Sequence, residues 1–464
     1  MISRHFTLRL LPLALALALA GCMVGPDYQR PTAVVPAGFK QAKGWTQAMP
    51  QDQLGKGEWW AVYRDPTLSA LLSQVKVSNQ NVAQYEALYR QARALTSAAR
   101  SNLYPTIAGT ADTTRSGNRS TVGNTHEAQV SASWELDIWG KLRRTLEENQ
   151  ASAQASAAEL ANITLSAQSE LAQAYFQLRV MDQQIALYQQ SVDAYQRYLD
   201  VIENKYRVGS ESRATLAQAQ TQLESTRASS LDLQWQRAQL EHAVAVLIGR
   251  PPAQFSLPPA PLIATLPQIP VELPAQLLQR RPDIAYAERN VAAANAAVGV
   301  AQAAYYPDLT LSASGGFQSS VLHNLISMPN RVWSLGPELS GTLLDFGATK
   351  AGVEQARASY DASVASYRQS VLEAFQEVEN YLVELSTLEA ETAAQQRAAE
   401  SAQESARVTL NQYQAGMIDY LDVATTQNTS LSQQQNLLSL RSTQWTASVQ
   451  LIVALGGGWH NDGR

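Results

Sequence analysis

Three glycines in the first half of the chain recur in the second half at a constant offset of 207 residues: Gly140, Gly209 and Gly249 correspond to Gly347, Gly416 and Gly456. Neither stretch between the outer glycines contains proline. Both are rich in Ala, Gln, Glu, Leu and Ser, a composition that favours helix. A repeat of this length with the same breaker positions predicts a duplicated helical hairpin.

The two arms of each predicted hairpin have different lengths. The central glycine lies 69 residues after the first glycine and 40 residues before the third. At the rise of an α-helix, these arms are about 100 Å and about 60 Å long. A single globular domain does not need helices of this length, so we expect the hairpins to span a distance.

Composition and motifs exclude several classes of protein. The 464 residues carry a net charge of −5 without a strongly basic segment, which argues against a nucleic-acid partner. The chain contains no nucleophile elbow, phosphate-binding loop or dinucleotide fingerprint, and its histidines are scattered without metal-ligand spacing. We therefore expect neither an enzyme nor a metal or cofactor site, and no cofactor beyond a covalent lipid.

The N-terminus has the pattern of a bacterial lipoprotein signal. Residues 10–20 form an apolar run too short to cross a bilayer. The sequence Leu-Ala-Gly-Cys, ending at Cys22, then resembles the bacterial lipobox, the cleavage motif of lipoproteins. The prediction is a signal peptide over residues 1–21 and lipid on Cys22, the only cysteine. Met23 rather than aspartate follows, as in lipoproteins sorted to the outer membrane. The alternative is an ordinary cleavage site with a chance cysteine.

The rest of the chain divides by composition and repeat. Nine of the nineteen prolines lie between residues 251 and 282, which indicates a linker between the two repeats. The predicted segments are a lead-in over 22–64, a first repeat over 65–250, a linker over 251–276, a second repeat over 277–457 and a tail over 458–464.

Each repeat also contains a pair of predicted strands, in hairpins over 106–138 and 308–346. Residues 128–138 alternate between apolar and polar side chains over eleven positions, the length of a tilted membrane-spanning strand. A soluble amphipathic hairpin is the alternative. The predicted strands run from Ile107 to about Thr114, from Ala128 to Ile138, from Leu309 to Phe317 and from about Trp333 to Asp345, with a turn-rich linker over 115–125.

Four strands cannot close a barrel, and an open sheet in lipid leaves its edges unpaired. The strands must therefore be pooled with those of other copies, and three or more copies leave room for a water-filled pore. Short helices predicted over Asn81–Tyr104 and Asp283–Tyr306 are about 36 Å long. One short helix and one arm of about 60 Å are together about as long as one arm of about 100 Å. Each long helix can therefore be paired over its full length, and we expect a helical tube. The predicted fold class is mainly α with a small membrane β part and an internal tandem duplication.

Six stretches of the chain form a recognisable set: CMVGPDYQRP at the lipoprotein signal, WWAVYRDPTLSALL (59–72), LPAQLLQRRPDIAYAE (273–288), LLDFG, YQAGMIDYLDVATTQ (413–427) and ALGGGW (454–459). They resemble the outer membrane factor (TolC-like) family, in its lipoprotein branch serving drug efflux. The resemblance implies four membrane strands per chain in a twelve-stranded trimeric β-barrel, and a long periplasmic α-barrel of coiled-coil-like hairpins. It also implies the exit duct of a tripartite efflux pump in a Gram-negative outer membrane, with a periplasmic adaptor (membrane fusion protein) and an inner membrane RND-type transporter as partners.

The same resemblance suggests functional residues at the hairpin tips. The residues expected to dock the adaptor are Val208, Gly209, Ala415, Gly416 and Met417. The residues expected at a periplasmic gate are Asp419, Asp422, Tyr420, Arg207 and Arg213. A second family aspartate would fall at Thr425, so the chain departs from the pattern there. The alternatives are that the glycines only turn the chain and that the aspartates lie on a solvated helix face.

Two other functions remain open at this point. A duct for type I protein secretion would use the same fold, although the lipobox and the ALGGGW ending favour small-molecule efflux. A structural periplasmic coiled-coil lipoprotein would explain the helical hairpins. It would not explain four alternating strands with aromatic residues at their ends.

Overall fold

A computed structural model describes residues 23–40, 58–262, 266–267 and 280–457. The predicted signal peptide, Cys22, the tail from residue 458 and part of the linker lie outside the described residues.

Helices make up most of the described chain, with one antiparallel sheet, so the predicted fold class is confirmed. The helices are α1 Pro66–Ser78, α2 Gln80–Ser101, α3 Lys141–Arg207, α4 Arg213–Leu247, α5 Pro282–Ala303, α6 Ala348–Gln414 and α7 Tyr420–Ala454. The strands are β1 Thr106–Gly117, β2 Val122–Leu136, β3 Asp308–Ser319 and β4 Arg331–Ser340. Short 3-10 turns cover Trp59–Tyr63, Pro252–Gln254, Leu322–Asn324 and Met328–Asn330.

The duplication is visible in the helix boundaries. Helices α3 and α6 each contain 67 residues, and α4 and α7 each contain 35. Each pair begins and ends at the offset of 207 residues that relates the glycines. The lopsided hairpin predicted from the glycines is therefore confirmed. Over the described residues, no helix has both the length and the apolar character needed to cross a membrane.

The long helices end in the same way. After each helix the chain passes through a glycine with positive φ, and two backbone hydrogen bonds close the last turn. After α3, for example, the N–H of Gly209 bonds to Tyr206 O and that of Ser210 to Lys205 O, both at 2.9 Å. This is the Schellman pattern, which satisfies carbonyls that a helix end leaves free.

The sheet has the order β1-β2-β3-β4, with every neighbouring pair antiparallel. Its register keeps apolar residues on one face: Ala128 lies opposite Ala111 on one side and Phe317 on the other, and Trp134 lies opposite Leu311. Because side chains alternate between faces, the other face is largely polar. Strands β1 and β4 are the two edges of this sheet.

The predicted linker over 115–125 is wrong in extent, because most of it is strand. Only residues 118–121 form the turn between β1 and β2. Asn118 Oδ1 accepts hydrogen bonds from the backbone N–H groups of Ser120 at 3.0 Å and Thr121 at 2.9 Å. An asparagine side chain that binds the following amides makes such a tight turn.

Two strands end earlier than predicted. The prediction continued β2 to Ile138 and β4 to Asp345, whereas they end at Leu136 and Ser340. In both cases an aspartate caps the next helix instead. Asp137 accepts two backbone N–H bonds from the first turn of α3 at 2.9 and 3.0 Å, and Asp345 accepts one from α6 at 2.7 Å. Free amides at a helix start favour such acceptors.

The chain before β1 forms two helices, α1 and α2, divided at Asn79. Asn79 Nδ2 donates to Leu247 O at 2.8 Å, and Asn79 Oδ1 accepts from the N–H of Val82 at 3.1 Å. One side chain therefore caps α2 and satisfies a carbonyl at the end of α4. Helices α2 and α5 also stop three residues before the predicted ends, because the amides of residues 103–104 and 304–306 bond to the carbonyl three residues earlier and tighten the last turn.

Two compact units share the chain, and each draws on both repeats. Among the described residues, the first includes 23–33, 87–158 and 285–370 with the four strands, and the second includes 34–40, 58–86, 159–262, 266–267, 280–284 and 371–457. The core of the second unit contains an aromatic cluster. Phe176 lies 4.9 Å from Tyr63 and 4.7 Å from Trp445 between ring centroids. Aromatic groups packed at these distances stabilise a core beyond the area they bury.

We predict that Gly249→Ala destabilises the second unit. Gly249 has a φ of 69°, and an added Cβ would overlap Ser78 O. The expected cost is about 1–3 kcal/mol. Gly352→Ala is the matched control, because Gly352 lies inside α6 with nothing within 4 Å of an added Cβ.

That control is expected to gain about 0.5–1 kcal/mol from helix propensity. The measurement is the temperature at which half of the helical circular dichroism is lost in detergent, at one scan rate. Equal temperatures for the two variants would contradict the prediction.

Candidate functional site

The first hairpin tip joins α3 to α4 over residues 208–212. Gly209 has a φ of 79°, a left-handed conformation that costs a residue with a Cβ more than glycine. Ser212 then caps α4, since its Oγ accepts from the N–H of Thr215 at 3.0 Å. The reversal exposes Val208, whose side chain is 78% accessible.

The second tip joins α6 to α7 over residues 415–419. Gly416 has a φ of 73° and occupies the position equivalent to Gly209. Asp419 is the N-cap residue of α7, but its side chain makes no capping hydrogen bond. Met417 is 67% accessible, so this tip also presents an apolar side chain to the outside.

A polar network connects the two tips. Tyr413, in the last turn of α6, donates its hydroxyl proton to Glu211 Oε1 of the first tip at 2.9 Å. Lys205 Nζ lies 4.4 Å from the centroid of the Tyr413 ring and 3.8 Å from Glu211 Oε1. Burial, and then the hydrogen bond to Glu211, raise the pKa of Tyr413 above its ordinary value. The hydroxyl therefore stays protonated at neutral pH and remains a donor.

A hydrophobic cluster lies beneath this network. Tyr420 packs edge-to-face on Tyr413 with ring centroids 5.8 Å apart, and burial raises the pKa of Tyr420 to about 12. The buried members come from α3, α4, α6 and α7, so the cluster holds both hairpins together. They are Val192, Tyr195, Leu199, Ile202, Ala219, Leu223, Tyr413, Tyr420 and Val423.

A reciprocal amide pair joins the two return helices next to the cluster. Asn428 Nδ2 of α7 donates to Gln222 Oε1 of α4 at 2.8 Å, and Gln222 Nε2 donates back to Asn428 Oδ1. Gln222 is buried. Each side chain thus uses both its donor and its acceptor on the same partner.

The predicted gate residues are distributed unevenly over this structure. Tyr420 is buried in the cluster, whereas the side chains of Asp419 and Asp422 are exposed. Arg207 and Arg213 are exposed too, and within the described residues of one chain neither makes an ion pair or side-chain hydrogen bond. The structure brings none of the four charged candidates together, so their gating role stays a prediction.

Sequence reasoning missed the three residues that do connect the tips: Lys205, Glu211 and Tyr413. A signal was present in a comparison of the repeats. At the 207-residue offset, Glu211 corresponds to Ile418, so the tips differ at a position where their glycines agree. A charged residue in only one copy suggests a partner outside its own hairpin.

The described residues do not assemble a metal site, since no group of three or more His, Cys, Asp or Glu side chains could hold an ion. The arrangement at the tips is one of contacts between helices. It can hold the ends of the hairpins together or release them.

Comparisons with known proteins agree with this architecture. A family model described as outer membrane efflux protein matches residues 71–250 and 273–457. The cation efflux system protein CusC of Escherichia coli is 30% identical over 459 residues, which cover 97% of this chain and 99% of that protein. The toluene efflux pump outer membrane protein TtgF of Pseudomonas putida is 30% identical over 467 residues, covering 97% of each chain.

Solved structures show the same similarity. The outer-membrane channel OprN superimposes with a TM-score of 0.86 at 28% identity, covering 94% of this chain and 100% of that chain. The open state of the MtrE outer membrane channel of Neisseria gonorrhoeae gives a TM-score of 0.83 at 28% identity, covering 96% and 100%.

We predict that Tyr413→Phe loosens the two tips. The change removes one hydrogen bond to a carboxylate and keeps the ring, for an expected cost of about 1 kcal/mol. Backbone amides of residues 204–212 should then exchange with deuterium about fivefold faster. Tyr206→Phe is the matched control, because Tyr206 is exposed at the equivalent position of the first hairpin. Unchanged exchange in Tyr413→Phe would show that the network does not hold the tips.

Proposed function

Because this chain belongs to the outer membrane efflux protein family and is an exit duct of the outer membrane, we propose that it works as the last component of a tripartite pump. In this proposal the duct is a homotrimer anchored by lipid on Cys22. A periplasmic adaptor binds the hairpin tips, and an RND-type transporter of the inner membrane supplies the substrate.

The unclosed sheet is the observation that carries this proposal. Strands β1 and β4 each have one edge without a partner in the described chain, and one face of the sheet is apolar. Unpaired backbone groups in hydrocarbon cost several kcal/mol each, so the edges need partners before the sheet can enter a membrane. Pairing β1 of one copy with β4 of the next supplies them, and three copies give twelve strands around a pore.

The form of the tips supports adaptor docking there. Two glycine reversals present Val208 and Met417 to the outside, next to backbone that a partner can approach closely. Exposed apolar side chains at a turn suit a protein contact better than a solvent surface. The contact set we propose comprises Val208, Gly209, Ala415, Gly416 and Met417.

Small molecules are the proposed substrates, in preference to secreted proteins. The relatives that match over nearly their whole length are named for the efflux of cations and of toluene. These solutes are small and chemically unlike one another. We infer that the duct does not select among them and that the transporter does. A passive duct needs no catalytic residue, and we propose no enzymatic activity.

The test combines subunit stoichiometry with conductance. Native mass spectrometry of the detergent-solubilised protein should give three copies, and the same sample should form pores in planar bilayers. Crosslinking in cells should capture an adaptor and a transporter. A protein that is monomeric without conductance would refute the duct, and capture of a protein-secretion engine would favour type I secretion.

We predict that Asp422→Asn lowers the preference of the pore for cations. Three symmetry-related carboxylates in a constriction attract cations and repel anions. The measurement is the reversal potential under a KCl gradient, which should move towards zero. Asp361→Asn is the matched control, because Asp361 is also an exposed helical aspartate but lies 53 residues before the end of α6 at the tip. A reversal potential unchanged in Asp422→Asn would remove this residue from the gate.

A further inference from the structure

A buried arginine at the start of α3 holds the segment that follows Cys22. The Arg144 side chain is 1% accessible. Its Nε donates to Val24 O at 3.2 Å, and its Nη2 donates to Gly25 O at 3.1 Å and to Asp27 Oδ1 at 2.9 Å. Its Nη1 donates to Glu147 at 2.7 Å. Three of these four bonds go to the N-terminal segment.

Glycines allow this segment to come unusually close. A Cβ added to Gly25 would overlap the Cα of Gly299 in α5, and Gly25 has a φ of 100°. A Cβ added to Gly140, between β2 and α3, would overlap Met23. The backbone of the segment therefore lies directly on the backbone of α5 at Gly299, and Met23 lies directly on Gly140, with no space for a side chain at either glycine.

Further bonds continue along the segment. The N–H of Val24 donates to Trp139 O at 2.9 Å, and Asn295 Nδ2 donates to Pro26 O at 2.9 Å. The Tyr28 hydroxyl donates to Glu288 Oε1 at 2.5 Å. The contacts come from the turn between β2 and α3, from α3 and from α5, so three parts of the chain bind the segment.

The position of Arg144 is unfavourable unless it serves this segment. The first turn of α3 contains no acidic residue, and a cation at a helix N-terminus opposes the helix dipole. A buried guanidinium is also costly without partners. Apart from Glu147, the partners of Arg144 are carbonyls and a carboxylate of residues 24–27. The guanidinium of arginine presents five N–H donors spread over a rigid plane, whereas lysine has three donors on a single nitrogen.

We propose that Arg144 is the positioning residue of the N-terminal anchor, and that it forms with Gly25, Gly140 and Gly299 a cleft that binds residues 23–28. Only one peptide bond separates Met23 from Cys22. The cleft thus sets the point at which the anchor leaves the folded chain, beside the junction of β2 and α3. The role of this point as a lipid anchor rests on the proposed function; the cleft itself does not.

The segment is bound where force from a membrane anchor would matter. Its partner Trp139 stacks on Tyr306 with ring centroids 4.6 Å apart and donates Nε1–H to Pro307 O at 2.9 Å. A force on the N-terminus would therefore be transmitted through Val24 and Trp139 to the residues just before β3.

The test measures how strongly residues 23–28 are protected from exchange and cleavage in the full-length, detergent-solubilised protein. Gly25→Ala prevents the close approach of Gly25 to Gly299. Arg144→Lys replaces the planar guanidinium with a single ammonium group. Gly38→Ala is the matched control, because Gly38 belongs to the same lead-in and has nothing within 4 Å of an added Cβ. The readouts are amide exchange over residues 23–28 and the rate of chymotrypsin cleavage after Tyr28.

We expect slow exchange and slow cleavage in the wild type and in Gly38→Ala, and rates at least tenfold higher in Gly25→Ala and Arg144→Lys. Unprotected amides in the wild type would overturn the proposal, even if a variant failed to fold. So would a folded Gly25→Ala protein with wild-type rates. Conductance is measured on the same samples, so failure of the cleft and failure of the duct are distinguishable.

Discussion

A helix of 67 residues can bury its apolar side chains only against other helices that run beside it, and the rest of this structure follows from that constraint. In the second unit, α3 meets this requirement by packing with α4 and α7 through separate clusters along its length. One cluster surrounds Phe176 and Trp445, a small one involves Tyr188, Leu233 and Leu431, and one lies beneath the tips. The shorter helices α4 and α7 thus supply the apolar surface against which α3 is buried.

The sequence was informative where one residue type controls one backbone conformation. The repeated glycines predicted the ends of the long helices to within a few residues, because each occupies a left-handed position after a helix. Strand ends were less predictable. Asp137 continues an alternating pattern, yet the carboxylates of Asp137 and Asp345 both bind helix amides, and capping depends on where the next helix begins.

The candidate site was predictable in place but not in its chemistry. The glycines located both tips, whereas the bond between Tyr413 and Glu211 joins residues 202 positions apart in the sequence. No pattern among neighbouring residues in the sequence predicts such a contact. The cleft around Arg144 was hidden for the same reason. An arginine in the first turn of a helix resembles a solvated residue until the segment that buries it is known.

The reciprocal bond between Gln222 and Asn428 limits how the two return helices can move. An amide pair that exchanges two hydrogen bonds tolerates little axial displacement, and a slip of one turn, about 5.4 Å, breaks both bonds. Turning one amide against the other also breaks at least one of the two bonds. The pair therefore fixes the register of α4 against α7 beside the tips, so a displacement of one return helix at this point carries the other with it.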